Sequence, residues 1–177
     1  MKTNLPLLLV AAMYFGLVLI AANVPITVDL KDAAGKDIGK ATISDGPNGN
    51  GVAIALDFKN LPQGEHAIHF HANARCDGPG FTTAGDHFNP GNTHHGTNNP
   101  ENPKPHAGDI PNFTVKPDGT AKVTLEDPRV TLGSGSNALF GNGGTALVIH
   151  AKADDMKTDP AGNAGDRIAC GLVQRKP

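Results

Sequence analysis

The fold class follows first from one stretch of the sequence, Val52-Ala-Ile-Ala-Leu-Asp-Phe58. Large apolar side chains alternate there with small or polar ones, which is the pattern of a half-buried β-strand. Turn residues separate this stretch from similar short segments on both sides. Those segments are 24–30, 38–43, 66–71, 113–115, 120–125, 130–132, 146–151 and 168–173. Since no segment has the period of a long amphipathic helix, the sequence predicts an all-β antiparallel sandwich or barrel of about eight strands.

Length and charge narrow the class of protein further. The chain has 177 residues, which favours one domain, and a net charge of −2, which argues against a nucleic-acid partner. Glycine (22 residues) and proline (14 residues) are abundant, as expected where many turns join short strands.

The N-terminal segment 1–22 has the composition of a targeting signal. Lys2 precedes a long apolar run, and the small residues Ala21 and Ala22 follow it. This pattern predicts a secretory signal peptide followed by one exported domain, residues 23–177. The alternative is an uncleaved membrane anchor, so contact with a membrane is expected only if the segment is retained. Cleavage removes only Lys2 among the charged residues and changes the net charge from −2 to −3.

The two cysteines, Cys76 and Cys170, indicate a disulfide, because an even count in an exported protein favours pairing. Two buried free thiols are the alternative, more typical of a cytosolic protein.

Two stretches, 72–111 and 152–167, interrupt the strands as long loops, which are usually functional in a compact domain. The first loop is rich in proline and histidine, so a metal together with the disulfide would hold it in place.

Eight histidines are concentrated in the middle of the chain and suggest a metal site. Three lie in the strand His66-Ala-Ile-His-Phe-His71. Because side chains alternate between faces, His69 and His71 share one face and could bind one metal. His66 belongs to the opposite face, so we interpret it as a core histidine that hydrogen-bonds the backbone.

The first loop carries further candidate ligands. They are His87, His95, His106 and Asp109. Three histidines and a carboxylate suit a four-coordinate zinc site. His94 is adjacent to His95, and the residues alone do not decide which of the two binds. His150 ends an apolar strand, where a single histidine is usually structural.

Five segments carry most of the candidate ligands. They are Gly64-Glu-His-Ala-Ile-His-Phe-His71, Ala84-Gly-Asp-His-Phe-Asn-Pro90, His106-Ala-Gly-Asp109, Leu147-Val-Ile-His-Ala-Lys-Ala-Asp-Asp155 and Gly162-Asn-Ala-Gly-Asp-Arg-Ile-Ala-Cys-Gly171. Together, and in this order, they resemble signatures of the copper/zinc superoxide dismutase family, of the bacterial exported kind. The resemblance implies an eight-stranded antiparallel Greek-key barrel or sandwich, immunoglobulin-like, with two long functional loops. It also implies an oxidoreductase that converts superoxide to dioxygen and hydrogen peroxide.

The resemblance implies copper and zinc as cofactors and assigns their ligands. Copper would be bound by His69, His71, His87 and His150. Zinc would be bound by His87, His95, His106 and Asp109, so that the imidazolate of His87 would bridge the two metals. His95 matches the ligand position of the family, and His94 does not.

Further roles follow from the same resemblance. Asp154 would link His69 to His95, Arg167 would stand over the copper, and Cys76 would pair with Cys170. His87 would also carry a proton during the reaction. Expected localisations are the periplasm, the cell surface or the extracellular space, and the sequence leaves both a monomer and a homodimer open.

Some positions depart from the family pattern. Ala161 stands where many members have a threonine beside the substrate channel, and Ala151 follows His150 where an acidic residue is common. Asp166 could weaken the positive field of its neighbour Arg167. Because a net negative protein repels superoxide, we expect local cations to attract it. The candidates are Lys152, Lys157 and Arg167.

Overall fold

The computed structural model describes residues 23–101 and 104–175, so the predicted signal or anchor, 1–22, lies outside the described residues. Within those two ranges the regular structure is β-strand and short 3-10 turns, and no helix is long and apolar enough to cross a membrane. The strands are β1 (Ile26–Asp32), β2 (Asp37–Asp45), β3 (Val52–Phe58), β4 (Gly64–His66), β5 (Ile68–His71), β6 (Phe113–Val115), β7 (Ala121–Asp127), β8 (Thr145–His150) and β9 (Arg167–Val173).

The strands form a curled antiparallel sheet with Greek-key connections. Seven strands pair in the order β5-β8-β9-β1-β2-β3-β7, and β4 pairs with β6. The chain leaves β3, forms β4, β5 and β6, and returns as β7 beside β3. Since β4 runs directly into β5 and β6 contacts β7, the two sheets together close a barrel. The predicted all-β Greek-key architecture is confirmed.

Alternating apolar side chains fill the interior of this barrel. In β3 the residues Val52, Ile54, Leu56 and Phe58 are buried, as the alternation predicts. They pack with side chains of the other strands in one cluster. Its largest fully buried members are Phe58, Phe70, Leu30, Ile43, Ile54, Leu56, Ile68, Ile110, Leu132, Leu139, Leu147 and Ile149.

Two predicted strands differ from the structure. The predicted strand 66–71 is divided at Ala67, whose N–H donates to Lys152 O while its carbonyl accepts from the N–H of His150. The strand therefore changes partner there, from β6 to β8. The segment 130–132 is not a strand, because only Thr131 forms an isolated bridge. Its apolar neighbours are nevertheless buried in the core, which explains the strand-like alternation.

The predicted disulfide is present. Cys76 and Cys170 are bonded, with their Cα atoms 5.7 Å apart and 94 residues apart in sequence. Cys170 lies in β9 and Cys76 in the long connection 72–112, which we call the first loop; the connection 151–166 is the second loop. A small apolar cluster that includes Phe81 and Val148 surrounds the bond. The disulfide therefore fastens the first loop to the barrel wall.

Candidate metal centre

Strand pairing brings three histidines to one outer face of the barrel. In the β5–β8 register, His69 lies opposite Val148, and His71 lies opposite Ala146. Residues directly opposite in antiparallel strands point to the same face, and so do residues two apart along one strand. His150, two residues beyond Val148, therefore joins His69 and His71. The intervening Ile68 and Phe70 face the core.

The first loop covers the remaining edge of β5 and adds ligands from there. Phe88 N–H donates to Phe70 O, and Phe70 N–H donates to Gly108 O. A Cβ on Gly108 would collide with the Phe70 carbonyl, so only glycine permits this approach. As a result, His87 lies beside His71 and Asp109 lies beside His69.

The four-residue groups that result match the two predicted ligand sets. His69, His71, His87 and His150 form one group, which we call the histidine group. His87, His95, His106 and Asp109 form the other, which we call the aspartate group. In each group the potential ligand atoms, one per residue, lie within 4.8 Å of one another, and all are buried. His87 belongs to both groups.

Asp109 organises the aspartate group. Its Oδ1 lies 2.8 Å from His87 Nδ1, 3.0 Å from His95 Nδ1 and 3.2 Å from His106 Nδ1. Its Oδ2 accepts hydrogen bonds from the backbone N–H groups of Gly96 and His106, at 2.9 and 3.1 Å. Three ring nitrogens and one carboxylate oxygen that converge in this way are a donor set for tetrahedral zinc.

Unpartnered nitrogens mark the histidine group. Among the described residues, His69 Nδ1 and His87 Nε2 are buried ring nitrogens without a hydrogen-bond partner. His71 and His150 direct their Nδ1 atoms to backbone carbonyl groups, at 2.8 and 3.2 Å, and their Nε2 atoms lie 3.4 Å apart. Leaving a buried polar atom unpaired costs about 1–3 kcal/mol. A metal ion bound by these nitrogens would remove that cost.

Burial keeps the histidine group neutral. It lowers the pKa of His87 and of His150 to about 4, and it also lowers the pKa of His69 and His71. A neutral imidazole offers the lone pair that a metal requires. At His95 burial opposes the charge, but hydrogen bonds to Asp109 and Asp154 outweigh it and raise the pKa to about 9.

Asp154, in the second loop, connects the two groups. Its Oδ2 lies 2.9 Å from His69 Nε2, and its Oδ1 lies 2.9 Å from His95 Nε2. The Asn112 side chain binds the backbone of Asp154 twice, since its Nδ2 donates to Asp154 O and its Oδ1 accepts from Asp154 N–H, both at 2.9 Å. A carboxylate held in this way fixes the ring orientation of both histidines.

Arg167 lines a funnel that reaches His87, which belongs to both groups, and His106 of the aspartate group. Its guanidinium donates to Phe81 O at 2.9 Å and to Gly85 O at 2.8 Å. The funnel has a volume of about 570 Å³, and its lining includes Asp86, His87, Asn89, Asn142, Ala161 and Arg167. Lys152 and Lys157, which we expected to attract the substrate, are not among its lining residues, and neither is Asp166.

Comparison with known proteins agrees with this geometry. A family profile described as copper/zinc superoxide dismutase matches residues 38–173. A Cu-Zn superoxide dismutase 1 from Aquifex aeolicus is 47% identical over 157 residues, which cover 88% of this chain and 90% of the relative. The chain belongs to the copper/zinc superoxide dismutase family.

Solved structures support the same assignment. The Cu/Zn superoxide dismutase from Brucella abortus superposes with a TM-score of 0.68 at 28% identity, covering 85% of this chain and 99% of that one. A SOD-like protein from Bacillus subtilis superposes with a TM-score of 0.79 at 35% identity, covering 86% of this chain and 99% of that one. The predicted family is thereby confirmed, and its cofactors are copper and zinc.

Two further histidines lie outside both groups of this superoxide dismutase fold. His66 is buried, and its ring nitrogens lie 2.8 and 2.9 Å from the backbone carbonyl groups of His150 and Pro62, which agrees with a structural role. The His94 ring is half-exposed, and its Nδ1 lies 2.9 Å from Asp159 Oδ2. His94 therefore points away from the ligand cluster that holds its neighbour His95.

Arg129 supports the backbone of the aspartate group, although no sequence pattern singled this residue out. Its Nη2 donates to the backbone carbonyl of Asp109, and its Nε donates to the buried carboxylate of Asp127 at 2.9 Å. Burial raises the pKa of Asp127 to about 6 in spite of this contact. Since Arg129 is 20 residues from Asp109 in sequence, no local pattern connects the two.

Proposed function

We propose that the protein disproportionates superoxide to dioxygen and hydrogen peroxide. The residues of the histidine group would hold copper, and those of the aspartate group would hold zinc. The observation that carries the proposal is the position of His87. Its Nδ1 faces Asp109 among the zinc donors, whereas its Nε2 is buried and unpartnered beside the other three histidines.

The donor sets agree with a division of labour between the two metals. Bound copper can accept an electron from one superoxide ion and donate it to another, which zinc cannot do because it has no redox chemistry here. An all-imidazole group suits copper, and a group with a carboxylate suits zinc. The aspartate group also joins three distant points of the first loop, so it would hold that loop in its folded form.

Arg167 would receive the substrate. A guanidinium has five N–H donors, and backbone carbonyl groups of the first loop take one from each of two nitrogens. Other N–H groups stay available to a small anion in the funnel. The two carbonyl contacts hold the guanidinium in place, so its positive charge is fixed beside His87 before substrate arrives.

His87 would carry a proton. Its Nε2 would take a proton in one half of the reaction and deliver it to the product peroxide in the other. Asp109 holds the Nδ1 side of the ring, and the first loop holds its backbone against β5. The ring would therefore keep Nε2, with its proton, directed toward the funnel.

A metal-binding relative without activity is the competing function. Loading the protein with copper and zinc, measuring the stoichiometry of both metals and following superoxide removal separates the two. We expect mass spectrometry to find one copper and one zinc bound per chain, and we expect this loaded protein to remove superoxide rapidly. A protein that binds zinc but does not cycle superoxide with copper would contradict the proposed function.

We also propose export through residues 1–22. The disulfide and the bacterial relatives indicate an exported protein. The intact mass of the protein recovered from the cells that produce it tests removal of the segment. A mass that includes residues 1–22, with the protein in the membrane fraction, would favour the anchor instead.

A further inference from the structure

The two loops meet outside the metal groups at one carboxylate, that of Asp159. Its Oδ1 accepts a hydrogen bond from the backbone N–H of His95 at 2.7 Å. Its Oδ2 lies 2.9 Å from His94 Nδ1 and accepts from Asn99 Nδ2 at 3.2 Å. One side chain of the second loop therefore binds three residues of the first loop.

The backbone supports this contact on both sides. The N–H of Asn98 donates to Met156 O at 2.8 Å. Gly96 has a φ of +87° and approaches Met156 so closely that a Cβ would collide with its carbonyl group. The segments 94–99 and 156–159 therefore run against each other, with Asp159 at one end of the contact.

These contacts hold His95 at three points. The ring is bound by Asp109 at Nδ1 and by Asp154 at Nε2, and the backbone is bound by Asp159. The Asp154 and His95 side chains are fully buried, whereas the Asp159 side chain is 44% exposed. Two of the three points come from the second loop, so the position of His95 depends on how the loops are joined.

We propose that Asp159 is a positioning residue for the zinc site, because it holds the backbone of His95 so that the ring stays between Asp109 and Asp154. The inference rests on the proposed function, since it takes His95 as a zinc ligand. A hydrogen bond from an N–H to a carboxylate is stronger than one between neutral groups. Without it, the His95 backbone loses its link to the second loop, and zinc leaves more easily.

Zinc release from the copper- and zinc-loaded protein to a coloured chelator tests the proposal. Asp159→Ala should accelerate release on the order of tenfold, the low end of what partners of metal ligands contribute, because the side chain is partly exposed. Asp159→Asn keeps an oxygen that can accept from the His95 N–H, so its release rate should lie between those of Asp159→Ala and wild type.

Asp155→Ala is the matched control. Asp155 accepts hydrogen bonds from Lys157, Thr158 and Asn163, all within the second loop. This variant should release zinc at the wild-type rate. As a second readout, hydrogen exchange of the His95 amide should be faster in Asp159→Ala and unchanged in Asp155→Ala.

The outcomes separate the two proposals. Wild-type release by Asp159→Ala, or equal acceleration by Asp155→Ala, would overturn the positioning role. If Asp159→Ala does not fold, Asp159→Asn decides, and a release rate equal to wild type would overturn the role. A wild-type protein that retains no zinc would instead overturn the proposed function.

Discussion

The barrel and the two loops are held by different kinds of contact. Strands β1, β2 and β3 bury apolar side chains on one face, and the β2–β3 and β3–β7 registers are unbroken. The first loop, 72–112, has no β-strand among its described residues and is held by imidazole–carboxylate contacts, backbone hydrogen bonds to β5 and one disulfide. The barrel should therefore fold without metal, whereas the order of the loops should depend on the metal groups.

The strand β5 shows both kinds of contact within four residues. Ile68 and Phe70 pack in the core, whereas His69 and His71 face the loops. One backbone thus connects apolar packing on one side to metal binding on the other. Because the core fixes the strand, the backbone positions of its histidines do not depend on the loops, whereas Asp154 and Gly85 of the loops orient their rings.

Of the changes considered, reduction of the disulfide should increase the difference in stability between the first loop and the barrel the most. Cys76 and Cys170 are 94 residues apart in sequence, and in the chain-entropy model a bond that closes such a loop contributes about 4–5 kcal/mol. Because Cys76 lies in the first loop, reduction should loosen that loop before the barrel. Hydrogen exchange on reduced, metal-loaded protein measures this. Equal acceleration in every strand at the same reductant concentration would show that loop and barrel unfold together.

Truncation of a core side chain should destabilise the barrel and leave zinc binding unchanged. Ile54 is fully buried in β3, and Ile54→Ala should lower the free energy of unfolding by about 2–5 kcal/mol. The rate of zinc release should stay at the wild-type value because Ile54 lies outside both metal groups. On the same strand, the exposed Asp57 forms an ion pair with Lys122 at 3.5 Å, so Asp57→Ala is the control, expected to change stability by less than about 0.5 kcal/mol. Faster zinc release in Ile54→Ala would show that zinc binding depends on the stability of the barrel.

The alternation of Val52–Phe58 and its neighbours was enough to predict an antiparallel sandwich or barrel, because burial of one face repeats every second residue. The same periodicity placed His69 and His71 on one face and His66 on the other. It could not show that the strand changes partner at Ala67, since that break is made by hydrogen bonds to β8 and the residues after it.

Long-range contacts in the loops were less accessible. The resemblance to the family supplied a role for Asp154, but nothing in the local sequence indicated Arg129, Asn112 or Asp159. Each binds a residue at least 20 positions away, through a backbone group that any amino acid carries. Their partners become visible only when the loops are folded against each other.

Arg167→Ala should reduce the rate constant for superoxide on the order of tenfold at low salt, because it removes the fixed cation of the funnel. Arg167→Glu should reduce it further, with metal content unchanged in both. The variant should also respond less to added salt than wild type does. Lys152→Ala, outside the funnel lining, should have a smaller effect. Wild-type rate and salt dependence in Arg167→Ala with full copper would show that Arg167 does not guide the substrate.

Asp86→Asn should have the smallest effect, and unlike Arg167→Ala it should raise the rate constant for superoxide. Asp86 lines the funnel, and its charge acts on the guanidinium of Arg167. Removing that charge should raise the rate constant about twofold at low salt, because less of the local positive field is cancelled. Asp166→Asn is the control, since Asp166 lies outside the lining and should leave the rate unchanged. A larger gain from Asp166→Asn would assign the opposing charge to the other carboxylate.

The central claim, that one imidazole serves both metals, is tested most directly by the copper spectrum during zinc titration. In wild-type protein loaded with copper alone, added zinc should shift the visible and paramagnetic resonance spectra of copper, because His87 belongs to both ligand groups. In His87→Ala the copper spectrum should not respond to zinc, even when zinc is bound. A variant whose copper still reports zinc occupancy as in wild type would contradict the bridge.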